Sequence, residues 1–101
     1  MINVIASIRV KAGKLPEFLE ILNANVPNVI KENGCIQYVP TIDIDANLLP
    51  QVLDENVVTL IEKWKNMESL QVHLKSPHML AYREKTRNIV EKLSIKVLKS
   101  C

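Results

Sequence analysis

The sequence predicts a single α+β domain on the split βαβ plan, with a four-stranded antiparallel sheet carrying helices on one face. Three observations point there. Residues 2–10 alternate branched aliphatic with polar side chains at a period of two, and Leu15 to Val29 places apolar residues at steps of three and four. The same two periods recur in the second half of the chain. A length of 101 residues with 48% hydrophobic content supplies one core and leaves no room for a second domain.

The first strand sets Ile2, Val4, Ala6, Ile8 and Val10 against Asn3, Ser7 and Arg9. Lys11 to Lys14 makes a turn. Leu15, Phe18, Leu22, Val26 and Val29 then form one helical stripe that Gly34 is expected to terminate and Pro27 to kink. A second strand is expected from Cys35 to Ile44, with Ile36, Tyr38, Ile42 and Ile44 on one face and Cys35, Gln37, Val39 and Thr41 on the other. Pro40 places that strand at an edge or a bulge. Asp45 to Asn56 is longer than a hairpin loop, which marks a partner-contacting loop or a flap. Val57 to Trp64 is the most strand-like stretch of the chain. Asn66 caps a short helix carrying Met67, Leu70 and Leu74, and Ser76-Pro77 caps another, whose seam runs through Met79, Tyr82, Thr86, Ile89 and Leu93. Ile95 and Val97 mark a last strand over Leu93 to Lys99. The order strand, helix, strand, strand, helix pair, strand is ferredoxin-like.

Both faces of the first and third strands carry branched aliphatics: Ile5 opposes Val4 and Ala6, Ile61 opposes Leu60, and Val57 opposes Val58. An apolar open face of that kind is rare on a soluble monomer, so a homodimer packed sheet to sheet is expected. The 13 basic and 11 acidic residues are scattered and form no basic stripe, which argues against nucleic acid. No apolar run approaches the roughly 20 residues that cross a bilayer, and the N-terminus has no leader pattern. Cys35 and Cys101 make neither a disulfide framework nor a zinc cage, so a soluble cytoplasmic protein is expected.

With only Gly13 and Gly34, the dinucleotide and phosphate-loop fingerprints are excluded. The informative residues are Glu62, Trp64, His73 and His78. Glu62 and Trp64 stand two apart on a strand and share its face with Val58 and Leu60, where a carboxylate needs a partner or a raised pKa. Arg9, Arg83 or a lysine at the strand end are candidate partners for a purely structural ion pair. His73 borders the apolar stripe of its helix, where an imidazole suits the role of general base toward a phenol, whose proton leaves near pH 10 in water. A satisfied half-buried histidine is the plainer reading. His78 lies five residues on, outside the i, i+4 pairing that zinc sites use on one helix, so no metal is expected. Tyr38 and Tyr82 each offer an apolar ring with a hydroxyl and suit either a pocket wall or the core, and the single Trp64 suits the core or its rim as well as a substrate platform.

Taken together, Val4-Ile5-Ala6, Ile8-Arg9 and Gly13, Val26-Pro27, Lys31-Glu32 and Gly34-Cys35, Tyr38 with Pro40 and Asp43, Ile61 to Trp64, His73-Leu74, Pro77 to Met79 and Ala81-Tyr82 give the chain its resemblance. It resembles the antibiotic-biosynthesis monooxygenase superfamily, and within it the small bacterial quinol monooxygenases. The resemblance implies a homodimeric α/β barrel of ferredoxin-like subunits, each with an apolar pocket between sheet and helices. It further implies oxidation of a quinol or polycyclic phenol with O2, and no cofactor, whether metal, flavin or haem. On it, Trp64, Tyr38 and Tyr82 would wall the ring and His73 or His78 would take the proton. Glu62 would orient the imidazole or pair with a cation. The haem-degrading branch places an asparagine in the middle of the first strand, where this chain has Ala6 and Ser7, so haem degradation is disfavoured. A non-catalytic small-molecule-binding module is the alternative of a different class.

Overall fold

Seven elements follow one another along the chain in a computed structural model that describes residues 1–101. They are β1 (Ile2–Val10), α1 (Leu15–Ile30), β2 (Cys35–Ile42), β3 (Val57–Trp64), α2 (Met67–Leu74), α3 (Pro77–Thr86) and β4 (Val90–Leu98). The sheet runs β2-β3-β1-β4, with every neighbouring pair antiparallel. This is the predicted α+β ferredoxin-like fold.

The period-two pattern buries one face. Val4, Ala6, Ile8 and Val10 of β1 and Val58, Leu60, Glu62 and Trp64 of β3 are all buried beneath the helices. Phe18, Leu22 and Val29 of α1 are fully enclosed against them. Each such side chain stabilises the fold by roughly 1.5–3 kcal/mol on leaving water. The register sets Ala6 beside Leu60 and Val4 beside Glu62, so the carboxylate sits in the sheet's covered centre.

Several local expectations change. α1 continues three residues past Pro27 and ends at Ile30, before Gly34 is reached. Gly34 instead makes the turn into β2, at φ +88°, where a Cβ would collide with the Ser69 side chain of α2. β2 is an edge strand with a register shift between Cys35 and Gln37, so Pro40 is accommodated there. It stops at Ile42, and the register shift leaves Ile36 unpaired and exposed while Cys35, opposite the buried Trp64, joins Tyr38 on the covered face. Ile42, opposite the buried Val58, is exposed all the same, as is Ile44 beyond the strand. Asn66 caps α2, its side chain accepting from the Ser69 N–H at 2.8 Å. Ser76 does not cap α3; its hydroxyl donates to the His73 carbonyl at 2.9 Å. The helical seam ends at Thr86, and Leu93 belongs to β4, which starts three residues earlier than its predicted first residue.

Two apolar surfaces are left uncovered. On the face away from the helices, Ile5, Ile61 and Val39 line up across three strands. On the helix side, Leu93, Ile95 and Val97 of β4 lie opposite the buried Ile8, Ala6 and Val4, yet all three are exposed. The 43–56 connection adds exposed Ile44, Leu48, Leu49 and Val52, and Arg9 anchors it through a 2.6 Å ion pair to Asp54. No helix is long and apolar enough to cross a membrane.

Candidate active site

Between the covered face of the sheet and α3 lies a cavity of about 270 Å³, open toward β4. Ala6, Ile8 and Leu60 form its floor, and Tyr38, Met79 and Tyr82 line it further. Two polar groups converge at its inner end, Glu62 from β3 and His73 from α2.

Strand alternation puts Glu62 and Trp64 on one face, and the Trp64 Nε1–H donates to Glu62 Oε1 at 2.9 Å. Burial pushes the Glu62 carboxyl above its usual range, with the charge of Glu32 adding and the Trp64 hydrogen bond opposing. The structural ion pair considered for Glu62 does not form. Arg9 is committed to Asp54, and Arg83 makes no salt bridge to it. Trp64 is itself completely buried and does not line the cavity, contrary to its expected place in the ring wall. It lies behind the cavity instead, against the His73 ring, with centroids 4.6 Å apart.

His73 is 2% exposed and sits between Trp64 and Tyr38. Its Nδ1 lies 2.8 Å from Oε2 of Glu32, in the turn between α1 and β2. A carboxylate can only accept, so Nδ1 carries the hydrogen and the neutral ring presents the Nε2 lone pair. Nε2 has no protein partner and is not sealed from solvent-accessible space. Burial lowers the imidazole pKa below its ordinary value, with Glu32 pulling the other way. The ring is therefore neutral at pH 7 and available as a base.

His78 opens α3, and its Nε2 stands 2.6 Å from the same Glu32 Oε2 and 3.2 Å from the Ser76 hydroxyl. It does not line the cavity. The five-residue spacing excludes an i, i+4 pair on one helix, yet the two histidines share one carboxylate. They meet because α2 stops at Leu74 and α3 starts afresh at Pro77, so single-helix periodicity does not apply. Three donor atoms of a kind that bind divalent cations thus lie within 4.8 Å of one another, which the spacing argument missed. Around a tetrahedral ion with bonds of ~2.1 Å, ligand atoms stand ~3.4 Å apart. The 2.6 and 2.8 Å separations are those of hydrogen bonds.

Burial raises the phenol pKa of both tyrosines, that of Tyr38 strongly and that of Tyr82 to about 12, where Arg83 opposes the rise. Both hydroxyls therefore stay protonated at neutral pH. Of the site's residues, Glu32 had no local sequence signal, because a single acid in a helix-to-strand turn resembles any surface acid. Arg83 and Arg87 of the α3 end also line the cavity.

The sequence model of the family described as antibiotic biosynthesis monooxygenase matches residues 1–85. Over 104 residues the chain is 36% identical to the probable quinol monooxygenase YgiN of Escherichia coli strain K12, covering 97% of this chain and 96% of that one. Among solved structures, PA3566 from Pseudomonas aeruginosa superposes with a TM-score of 0.84 at 23% identity, over 99% of this chain and 93% of the other. A conserved protein from Methanosarcina mazei Go1 gives 0.84 at 24% identity, over 99% and 92%. These structural likenesses speak for the fold.

Proposed function

Because the chain belongs to the antibiotic biosynthesis monooxygenase family, and so is an enzyme of the monooxygenase type, we propose that it oxidises a quinol or polycyclic phenol with O2 in the cavity beside His73, without a metal or organic cofactor. One observation carries this reading. The cavity holds an imidazole whose Nδ1–H is tied to a carboxylate and whose Nε2 has no protein partner. That is the arrangement of a base awaiting an acidic hydrogen.

His73 Nε2 takes the hydroxyl proton, and Glu32 stabilises the imidazolium that forms. The resulting quinolate is electron-rich enough to pass one electron to O2, giving semiquinone and superoxide, which combine at a ring carbon. Loss of water from the peroxide leaves a hydroxyquinone, so one atom of O2 enters the ring and the other leaves as water. The protein's part is to bind, deprotonate and exclude water. The cavity is slightly smaller than the ~300 Å³ at which pockets for drug-sized ligands begin, which suits a one- or two-ring substrate. Glu62, Tyr38 and Tyr82 would orient its oxygens.

A homodimer is part of the proposal. The Ile5, Ile61 and Val39 row and the uncovered β4 residues offer two apolar surfaces for a second copy. Light scattering on the purified protein is expected to give twice the chain mass.

The direct test is an oxygen electrode with a panel of naphthoquinols and anthrols. The enzyme is expected to consume O2 well above the buffer rate on at least one of them. Uptake equal to buffer across the panel overturns the reading.

A further inference from the structure

We infer that this cavity selects phenolic substrates bearing a carboxylate, with the phenol at His73 and the carboxylate at Arg83 and Arg87. The inference rests on the cavity being the substrate site and extends that reading to substrate class.

The charged groups lining the cavity are unevenly distributed. Glu62 and His73 stand at the inner end, where Glu62 already accepts from Trp64 and His73 is held by Glu32. The exposed Arg83 and Arg87, at the C-terminal end of α3, also line the cavity, and Glu62 is the one acid in its lining. Arg83 has no carboxylate within salt-bridge distance and makes no side-chain hydrogen bond, whereas the other two arginines, Arg9 and Arg87, both have acidic partners. Arg87, one helical turn on, reaches only Glu84 at 3.4 Å, with both side chains largely in water. Such an exposed pair is worth little and yields readily to a better acceptor.

The spacing also fits. α3 starts at Pro77, with His78 in its first turn beside the Glu32 carboxylate, and ends at Thr86, next to Arg87. At 1.5 Å per residue, Arg83 lies ~8 Å and Arg87 ~14 Å along the axis from His78. A two-ring phenol reaching inward to His73 would bring its far edge to this stretch. Guanidinium groups bind carboxylates through paired N–H donors, and partial removal of water strengthens the contact. The nearby Arg83 charge already acts on His73 and Tyr82, as the direction of its effect on both shows. An anion docked there would offset that charge as the base becomes protonated.

The test uses two stable ligands that need no turnover, 6-hydroxy-2-naphthoate and 2-naphthol, titrated calorimetrically into the intact protein. The carboxylate ligand is expected to bind about tenfold tighter at low ionic strength, an advantage that salt erodes. R83M with R87M should abolish that advantage while changing 2-naphthol affinity far less than that of the carboxylate ligand, and R83K should keep part of it. Both arginines are exposed at the end of a helix, so the variants are expected to fold, which circular dichroism checks. Equal affinities in the wild type, a preference that survives the double variant, or no binding of either ligand would overturn the inference. If the preference is found but no quinol is oxidised, the monooxygenase reading fails while the carboxylate site stands.

Discussion

At the inner end of the cavity His73 and Glu62 are buried, as is Trp64 behind them, and each holds a hydrogen bond from within the one chain. Along β4 the same face of the same sheet is unfinished. Leu93, Ile95 and Val97 remain 58%, 48% and 42% exposed, although each lies opposite a residue of β1 that is buried. The register is equally regular on both sides, so strand pairing does not cause the difference. Position in the sheet does: β1 lies between β3 and β4 and faces the enclosed core, whereas β4 is the outer edge and contributes only the partly buried Val90 to that core. Chemistry is built where the chain finishes its own core, and the opening lies where it does not.

The largest effect that would sharpen this contrast is on catalysis. His73→Gln, which keeps polarity and most of the volume, is expected to lower kcat by about 10²- to 10⁴-fold, the usual contribution of a positioned base. Oxygen uptake with a naphthoquinol measures it. A loss under threefold would move the base elsewhere. Stability comes next. Trp64→Ala is expected to cost ~3–5 kcal/mol in urea unfolding, since a fully buried indole leaves both a cavity and an unpaired Glu62. Ile95→Ala, half-exposed, is expected to cost under ~1 kcal/mol at concentrations where the chain is monomeric. Equal costs would break the comparison by showing β4 to be covered within one chain. Ile95→Asp is expected to shift the light-scattering mass toward the monomer with the far-ultraviolet spectrum preserved.

What could be read beforehand follows the same division. β1 and β3 were legible because one face is buried along their whole length, so the pattern repeats without interruption. Asn66 was legible because capping is local. β2 and β4 were blurred at their ends, since edge strands alternate without being covered. Ile36 and Ile42 carry the pattern of a core strand and are exposed all the same. The site was half legible. Glu62 and His73 were found from their elements, whereas Glu32 is brought to His73 from 41 residues away by the Gly34 turn. Trp64 was placed on the right face but one layer too far forward, because alternation fixes direction and not depth. His78 was placed on a separate helix from His73, as it is, but their meeting at Glu32 depends on how the two helices pack, which spacing along the chain does not give.

The smallest expected effect is on the pH dependence of stability, and it compares the two buried ionisable groups of the inner end with each other. His73 titrates below its ordinary 6.5 in the folded chain. Its burial is therefore accommodated fully above pH 6.5 and loses stability as the pH falls through the folded value. Glu62 titrates above its ordinary 4.5. Its neutral form is the one the fold accepts, so its contribution is full below pH 4.5 and is lost as the pH rises through its folded value. Between those two ordinary values the slopes oppose each other in the wild type. Glu62→Gln keeps an oxygen for the Trp64 N–H and removes only the titration, so the urea midpoint of the variant should climb more steeply from pH 4.5 to 6.5 than that of the wild type. Parallel slopes would mean that water reaches Glu62 freely, and the inner end would then be no better sealed than the edge at β4.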